Sequence, residues 1–392
     1  MLDKPKYIVI ISTVPFPYGN ASDNAIFTFM DGFQEHGCKG EVLCLYPNLP
    51  RQYDCPPQGD FQGVPYSYLH GKAHRSKNKL RNRIDVLLTN RLLKRYLKEK
   101  SKCYQVRALF FTHVGKTYYE HTKICHSLGI QTVLVSCEYP EYLIDTTPER
   151  LKAFKEFSSY TGRYIFETKT LDDYTRKALN EDIDSIIVPA TMPFEDILQC
   201  KRTEHKPYIA YCGSIHSEAK DGLLNIIKAF SIFHKSYQDL DLKFIGRVSK
   251  QDYFAQLKDL TVELGLSDCI TFVGGVDRKD YVQYVTDSSL MIVAKPKDSY
   301  YGGGLSSKVI EYLFSGNPVL MTDADDYVNY LTHKENVYFV PDNAPETLAA
   351  AICELFSHPE EMRSLGENGK QYAMEHFNYH KLTKGLLEFV LR

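Results

Sequence analysis

The segment Ser299–Leu320, SYYGGGLSSKVIEYLFSGNPVL, packs three kinds of signal into one stretch. Three consecutive glycines leave backbone NH groups bare just before a helix whose cap is Ser306 or Ser307. Gly316 and Pro318 then end that helix and start a strand. A helix amino end with bare amides is an anion site, because the unpaired NH groups and the helix dipole both favour negative charge. At 100° per residue Lys308, Glu311 and Tyr312 share one face, while Val309, Ile310, Leu313 and Phe314 cover the other. A lysine in the first helical turn is electrostatically misplaced unless an anion sits beside it, so Lys308 points to a phosphate. Glu311 is then placed to accept hydrogen bonds from ribose hydroxyls. A capping box for Glu311 needs Ser three residues earlier, and position 308 is Lys. A surface ion pair between Lys308 and Glu311 has the weaker orientation, with the cation on the amino-terminal side.

Outward from this segment the chain alternates strand and helix. In the second half, strands are expected at Tyr208–Cys212, Leu242–Gly246, Ile270–Val273, Leu290–Val293 and Pro318–Met321. Helices are expected at Gly222–Ser236, Lys250–Leu264, Arg278–Thr286, Ser307–Ser315 and Pro345–Ser357. The first half repeats the theme, with apolar runs at Tyr7–Thr13, Glu41–Tyr46, Ala108–His113, Gln131–Ser136, Tyr164–Glu167 and Ser185–Val188. Continuous apolar runs of this kind form strands buried on both faces of a parallel sheet. The expected fold is therefore α/β, with two doubly wound Rossmann-like domains facing each other across a cleft. The expected boundaries are 1–190, a linker at 191–207, 208–375, and a C-terminal helix at 376–392 returning to the first domain.

Composition agrees with two folded domains. Of 392 residues 43% are hydrophobic, 47 are basic and 49 acidic, and there are 29 Tyr and 21 Phe. That apolar fraction excludes a disordered chain, and no stretch approaches the ~18 apolar residues of a membrane span. The N-terminus runs into a strand without an apolar signal core. Ten scattered cysteines, with no CxxC and no histidine cluster, point to a reduced compartment without a zinc site or disulfide framework. The expected location is cytoplasmic.

Charge is unevenly placed. Between His70 and Lys102 there are twelve Lys/Arg and two acids, which leaves 35 basic and 47 acidic groups elsewhere. The core of that segment, KNKLRNRIDVLLTNRLLKRYLKEK, sets Leu80, Ile84, Leu87, Leu88 and Leu92 at helical spacing among cations. This fits a basic amphipathic helix on an anionic membrane surface, which makes the protein peripheral on the inner membrane face. The alternative is a helix whose leucines pack on its own domain while the lysines keep the protein soluble. Nucleic acid is not an expected partner, since no recognition motif or aromatic-interleaved groove accompanies the patch.

In parallel sheets ligands bind beyond the carboxyl ends of strands. At those ends stand Gly213 and Ser214, in YCGSIHSEAKDG, with Lys220 ahead of the next helix and placed to reach a diphosphate. A solvated helix-start lysine is the alternative there. Arg247 follows LKFIG and suits a bidentate phosphate contact, though a solvated loop position fits it as well. In the first domain His113 ends ALFFTH and Glu138 follows TVLVSC. The loop PYGNA, with Gly19 and Asn20, has one glycine before a helix and lacks GxGxxG, which argues against a nicotinamide or flavin enzyme.

Together, YCGSIHSEAKDGLLNIIKAF, ITFVGGVDRKDYVQYVTDSSLMIV, GGGLSSKVIEYLFSGNPVL and ENGKQYAMEHFNY resemble a family 4 glycosyltransferase of the two-Rossmann GT-B type, strongly over 208–380 and weakly over 1–190. The resemblance implies a retaining transferase using a nucleoside diphosphate sugar, UDP or GDP, with no metal and no cofactor. It implies Glu311 on the ribose, and the Ser306 and Ser307 amides, Gly304, Leu305 and Lys308 around the diphosphate. Lys220 is implied at the leaving phosphate, with Gly213, Ser214 and Arg247 nearby. It also implies His113 as a histidine on the acceptor side, a catalytic candidate with Lys220 and Lys308, and a glycan or lipid-linked acceptor in polysaccharide biosynthesis. Gly19, Asn20 and Glu138, in loops of the first domain, are the other acceptor-side candidates. Two departures stand out. Gly303 occupies the place of a common first glutamate, and Ser214 that of a common arginine. A catalytically silent nucleotide-sugar or glycan-binding protein, a sugar-nucleotide epimerase and a phosphorylase are the rival expectations.

Overall fold

The computed structural model describes residues 4–18, 21–112, 116–139, 147–297, 304–324 and 326–392. The chain divides into two units, Met1–Pro193 with Asn378–Arg392, and Phe194–Phe377.

The first unit is built on an eight-stranded sheet, ordered β3-β4-β2-β1-β5-β6-β7-β8. Its strands are β1 Lys6–Ser12, β2 Lys39–Cys44, β3 Gln58–Phe61, β4 Val64–Tyr68, β5 Gln105–Thr112, β6 Gln131–Ser136, β7 Arg163–Phe166 and β8 Ser185–Ile187. All pairs are parallel except β3 with β4. β1 is central, and every residue after Lys6 in KYIVIIS is buried, as expected for a strand covered by helices on both faces. The β3–β4 hairpin escapes sequence reading because QGDF is largely exposed and carries no apolar run. Its two-residue turn, Gln62 and Gly63, has positive φ at both positions, 51° and 90°, as a tight hairpin requires.

Helices of this unit are α1 Ala21–Glu35, α2 Lys79–Cys103, α3 Lys116–Ser127, α4 Pro148–Ser158, α5 Lys169–Leu179 and, from the far end of the chain, α14 Tyr379–Leu391. α14 packs on α1, with Tyr379 Oη donating to Asp31 (2.8 Å) and a 2.7 Å hydrogen bond between His380 Nδ1 and Glu35. The basic segment does form a long helix, α2, but the aliphatic side chains of its amino-terminal half do not pack on the unit. The buried stripe is Asp85, Thr89, Leu93 and Leu97, whereas Leu80, Ile84, Leu87 and Leu88 are exposed and Leu92 is half-buried. Ion pairing makes the polar end of that stripe tolerable, since Asp85 accepts from Lys72 at 2.6 Å.

The second unit carries a six-stranded, all-parallel sheet ordered β11-β10-β9-β12-β13-β14. The strands are β9 Tyr208–Cys212, β10 Asp241–Ile245, β11 Ile270–Gly274, β12 Leu290–Val293, β13 Val319–Thr322 and β14 Tyr338–Val340. β14 is three residues long, too short to show a pattern. Between the strands lie α6 Glu195–Gln199, α7 Glu218–Asp221, α8 Leu223–Phe233, α9 Gln251–Glu263, α10 Arg278–Asp287, α11 Ser307–Ser315, α12 Pro345–Ser357 and α13 Pro359–His376. The chain runs outward from β9 to β11, then resumes on the other side at β12. The strand order therefore reverses between β9 and β12, and a crevice at that point is where such sheets bind ligands.

The stretch 191–207, expected as a linker, belongs from residue 194 onward to the second unit. Residues 201–207 are exposed, yet side-chain hydrogen bonds fasten the stretch to that unit. Thr203 bonds Asp287 through both its amide (2.8 Å) and its hydroxyl (2.7 Å), and Arg202 donates to Asn317. Phe194 stacks on Phe314 of α11 with ring centroids 4.2 Å apart.

Candidate active site

The site is assembled at the carboxyl ends of β9 and β12. α11 begins there, with Ser306 as its N-cap in extended conformation and Gly316 closing it at φ 77°. The Ser306 side chain makes no capping hydrogen bond, and its carbonyl accepts from Tyr327 Oη at 2.6 Å. α11 is bolted to β9 by Tyr312, whose hydroxyl donates to the Cys212 carbonyl (2.6 Å) and accepts from the Cys212 amide (2.8 Å). Val309 to Phe314 are all buried, so Tyr312 and Glu311 are interior groups and not parts of an open polar face.

Lys308 does not wait for an external anion. Its Nζ lies 2.5 Å from Asp221 Oδ1 and 3.1 Å from Tyr211 Oη, which in turn donates to Asp221 Oδ2 at 2.6 Å. The fold supplies a carboxylate from α7, and this corrects the argument that the position of Lys308 by itself demands a phosphate. An ammonium has three donors, and Asp221 and Tyr211 take two. Burial pushes the Asp221 pKa up. The charge of Lys308, hydrogen bonds from Lys308 and Tyr211, and the charge of Lys220 more than offset this and hold it below its ordinary 3.8. Gly213 leaves room for the arrangement, since a Cβ there would stand 2.6 Å from Tyr211 Oη and 3.2 Å from Lys308 Nζ.

Glu311 makes neither a capping box nor a pair with Lys308. Its side chain is buried, Oε1 accepts from Arg278 Nη1, and Oε2 accepts from Tyr281 Oη at 2.6 Å. Arg278 also grips Asp196 of α6 through Nε (2.7 Å) and Nη2 (2.9 Å). A buried carboxylate is tolerable only with such partners, and removing one strands the other. Tyr281, held between burial and the charge of Glu311, has its pKa pushed far above that of a free phenol. A carboxylate offers about four lone-pair sites, so two protein donors leave acceptor capacity for a diol.

Lys220 sits on α7 beside Asp221. Ser214 and Arg247 lie on adjoining loops, joined by a 2.6 Å bond between the Ser214 and Ser249 hydroxyls and by the Ile215 amide donating to the Arg247 carbonyl at 2.9 Å. Leu305 is buried and Gly304 partly so, immediately ahead of the α11 cap. Glu138 is exposed beyond β6 in the first unit. His113, Gly19, Asn20 and Gly303 fall outside the described residues. Among the described residues, metal-type ligands within 4.8 Å of one another are Asp31, Glu35 and His380 in the first unit, where they fasten α14 to α1.

Sequence reading missed Asp221, Tyr211, Arg278, Tyr281 and the buried Lys295 just past β12. One signal was present: Arg278 and Tyr281 stand three apart at the start of a helix that follows a strand, and so face one way. The pairing of Asp221 with Lys308, 87 residues apart, has no local signature.

Doubly wound parallel sheets in both units, with a helix amino end, a fixed lysine and a buried glutamate at the switch point of the second, are the architecture of the GT-B fold. Residues 195–372, somewhat less than half of the chain, match the sequence model of glycosyl transferases group 1. It is 28% identical over 163 residues to an uncharacterized glycosyltransferase of Methanocaldococcus jannaschii, a match covering 42% of this chain and 40% of that relative. The chain thus spans less than half the length of that relative. Among solved structures, a glycosyltransferase from Rickettsia africae superposes with TM-score 0.76 at 13% identity, covering 99% of this chain and 98% of the other. Sucrose-phosphate synthase from Thermosynechococcus elongatus gives 0.71 at 16% identity, with 98% of each chain covered. HepE of Anabaena, in complex with UDP, gives 0.69 at 12% identity, again with 98% of each covered. At these identities the likeness is one of fold. Among the described residues, no helix is long and apolar enough to cross a membrane.

Proposed function

We propose that this chain is a retaining glycosyltransferase that moves a sugar from a nucleoside diphosphate donor to a glycan or lipid-linked acceptor in polysaccharide biosynthesis. The observation that supports this most directly is Lys308, fixed by Asp221 and Tyr211 beside the amino end of α11. In this reading the departing diphosphate takes the remaining donor of Lys308 and the Ser306 and Ser307 amides, with Lys220 adding charge. Preorganised donors at developing negative charge are usually the largest catalytic contribution. No metal is assigned a role, because these groups can do the neutralising. Glu311 receives the ribose diol through the acceptor capacity that Arg278 and Tyr281 leave. Departure and attack occur on one face of the sugar, without a covalent protein intermediate. UDP is the first carrier to try, since the HepE structure holds it.

The test is a thermal-shift and turnover panel with UDP, GDP, ADP and their sugars. One nucleoside diphosphate is expected to raise the melting temperature, because a ligand at 100 times its Kd adds about 2.7 kcal/mol. Its sugar is expected to be transferred to an added acceptor. Binding without transfer would support the silent binding protein that Gly303 and Ser214 suggest. Conversion of the nucleotide sugar without an acceptor would indicate an epimerase, and phosphate-dependent glycan cleavage a phosphorylase.

A further inference from the structure

The exposed face of α2 is divided along its length, and nothing in donor chemistry uses it. At about 100° per residue, Leu80, Ile84, Leu87, Arg91, Lys94, Arg95 and Lys98 point within about 60° of one direction, with Leu88 at its margin. The first half of that face is mainly apolar, with Leu80 64% exposed, Ile84 46%, Leu87 80% and Leu88 41%, and the exposed Arg83 at the margin opposite Leu88. The second half is cationic, with Arg91, Lys94, Arg95 and Lys98 all exposed. Each half runs about 10–12 Å at 1.5 Å per residue. Of the two acids on α2, Asp85 is buried and paired with Lys72, and Glu99 lies near Arg95, but its hydrogen-bonded partner is Lys102, at 2.7 Å. Nor is the helix a loose appendage. Thr89 hydrogen-bonds His70 at 3.0 Å, while Leu93 and Leu97 enter the core of the first unit.

Exposing four large aliphatic side chains on one face is unfavourable in water. A second surface of opposite charge and apolar depth relieves it, and an anionic bilayer offers both at the right separation. We infer that the α2 face of the first unit docks on an anionic lipid bilayer. Leu80, Ile84, Leu87 and Leu88 enter the acyl boundary, and Arg91, Lys94, Arg95 and Lys98 rest among the headgroups. The helix is thus tilted, amino end inward, and not laid flat with a lateral apolar stripe. This inference does not depend on the donor chemistry proposed above.

The test is co-sedimentation of the full chain with vesicles of phosphatidylcholine alone and of phosphatidylcholine mixed with phosphatidylglycerol. Partitioning is expected only to the anionic vesicles, falling as salt is raised. The combined change Arg91→Gln, Lys94→Gln and Arg95→Gln is expected to lower the partition coefficient about a hundredfold, since each cation near such a surface contributes severalfold. Ile84→Glu with Leu87→Glu is expected to abolish binding even at low salt. All five side chains are exposed, and unchanged melting curves serve as the folding control. Absence of partitioning, equal binding to both vesicle types, or variants that bind like the parent would overturn the inference. So would a dimer in size-exclusion chromatography that Leu87→Glu splits, because a second copy would then be what covers the face.

Discussion

Glu311→Ala is expected to abolish measurable nucleoside diphosphate binding by calorimetry and to cost about 3 kcal/mol of stability. Both effects come from one geometry. The carboxylate is buried between Arg278 Nη1 and Tyr281 Oη, so alanine leaves the guanidinium with Asp196 alone and the phenol without an acceptor. Breaking a fully buried pair by removing one partner typically costs about 3–5 kcal/mol, and the low end applies here because Arg278 is partly exposed. The same deletion removes the acceptor assigned to the ribose hydroxyls. Tyr281→Phe separates the two roles. It forfeits one hydrogen bond and about 1 kcal/mol, but leaves the carboxylate with more free acceptor capacity. Nucleotide affinity is therefore expected to survive in Tyr281→Phe and vanish in Glu311→Ala. A folded Glu311→Ala protein that binds nucleoside diphosphate normally would remove the ribose assignment.

The second large effect concerns Lys308. Lys308→Met is expected to lower turnover of the donor by about 10²–10³, the usual loss on deleting one preorganised donor at developing charge. It should also reverse the pH response of stability. In the parent the folded-state pKa of Asp221 lies below its ordinary 3.8, chiefly because the charge and hydrogen bond of Lys308 overcome burial. Its contribution to stability is therefore fully present above pH 3.8 and is lost as pH falls through the lower, folded value. Without Lys308, burial dominates and raises the carboxyl pKa, so the variant carries a penalty at pH 7 that protonation relieves. Melting temperatures taken from pH 7 down to 4 should show the gap between parent and variant narrowing. A constant gap would mean that Asp221 and Lys308 are not coupled.

The architecture was readable where burial leaves a mark on residue type. Buried parallel strands must be apolar throughout, so YIVIIS and LMIV announce themselves, as does the helix SKVIEYLFS between its Ser cap and Gly316. The β3–β4 hairpin and β14 were illegible, one for exposure and the other for brevity. At the site, Lys308 and Glu311 stood out because a first-turn cation and an unpaired helical carboxylate break local rules. Their partners did not, since Asp221, Tyr211 and Arg278 obey theirs and reach the site only through tertiary structure. The basic helix was found by its charge, but the alternative that packs Leu80, Ile84, Leu87 and Leu88 on the domain does not hold, and the side that is buried was not legible. Asp85 and Thr89 are buried while four aliphatic side chains face outward, and no periodicity argument predicts a buried aspartate that Lys72 neutralises.

The most direct test of the central claim is the position of the diphosphate in a crystal structure with bound UDP. The account predicts phosphate oxygens at the amides of Ser306 and Ser307 and within hydrogen-bond reach of Lys308 Nζ, with the ribose on Glu311. A diphosphate seated elsewhere, or Lys308 engaged only with Asp221 and Tyr211 while nucleotide is bound, would contradict it.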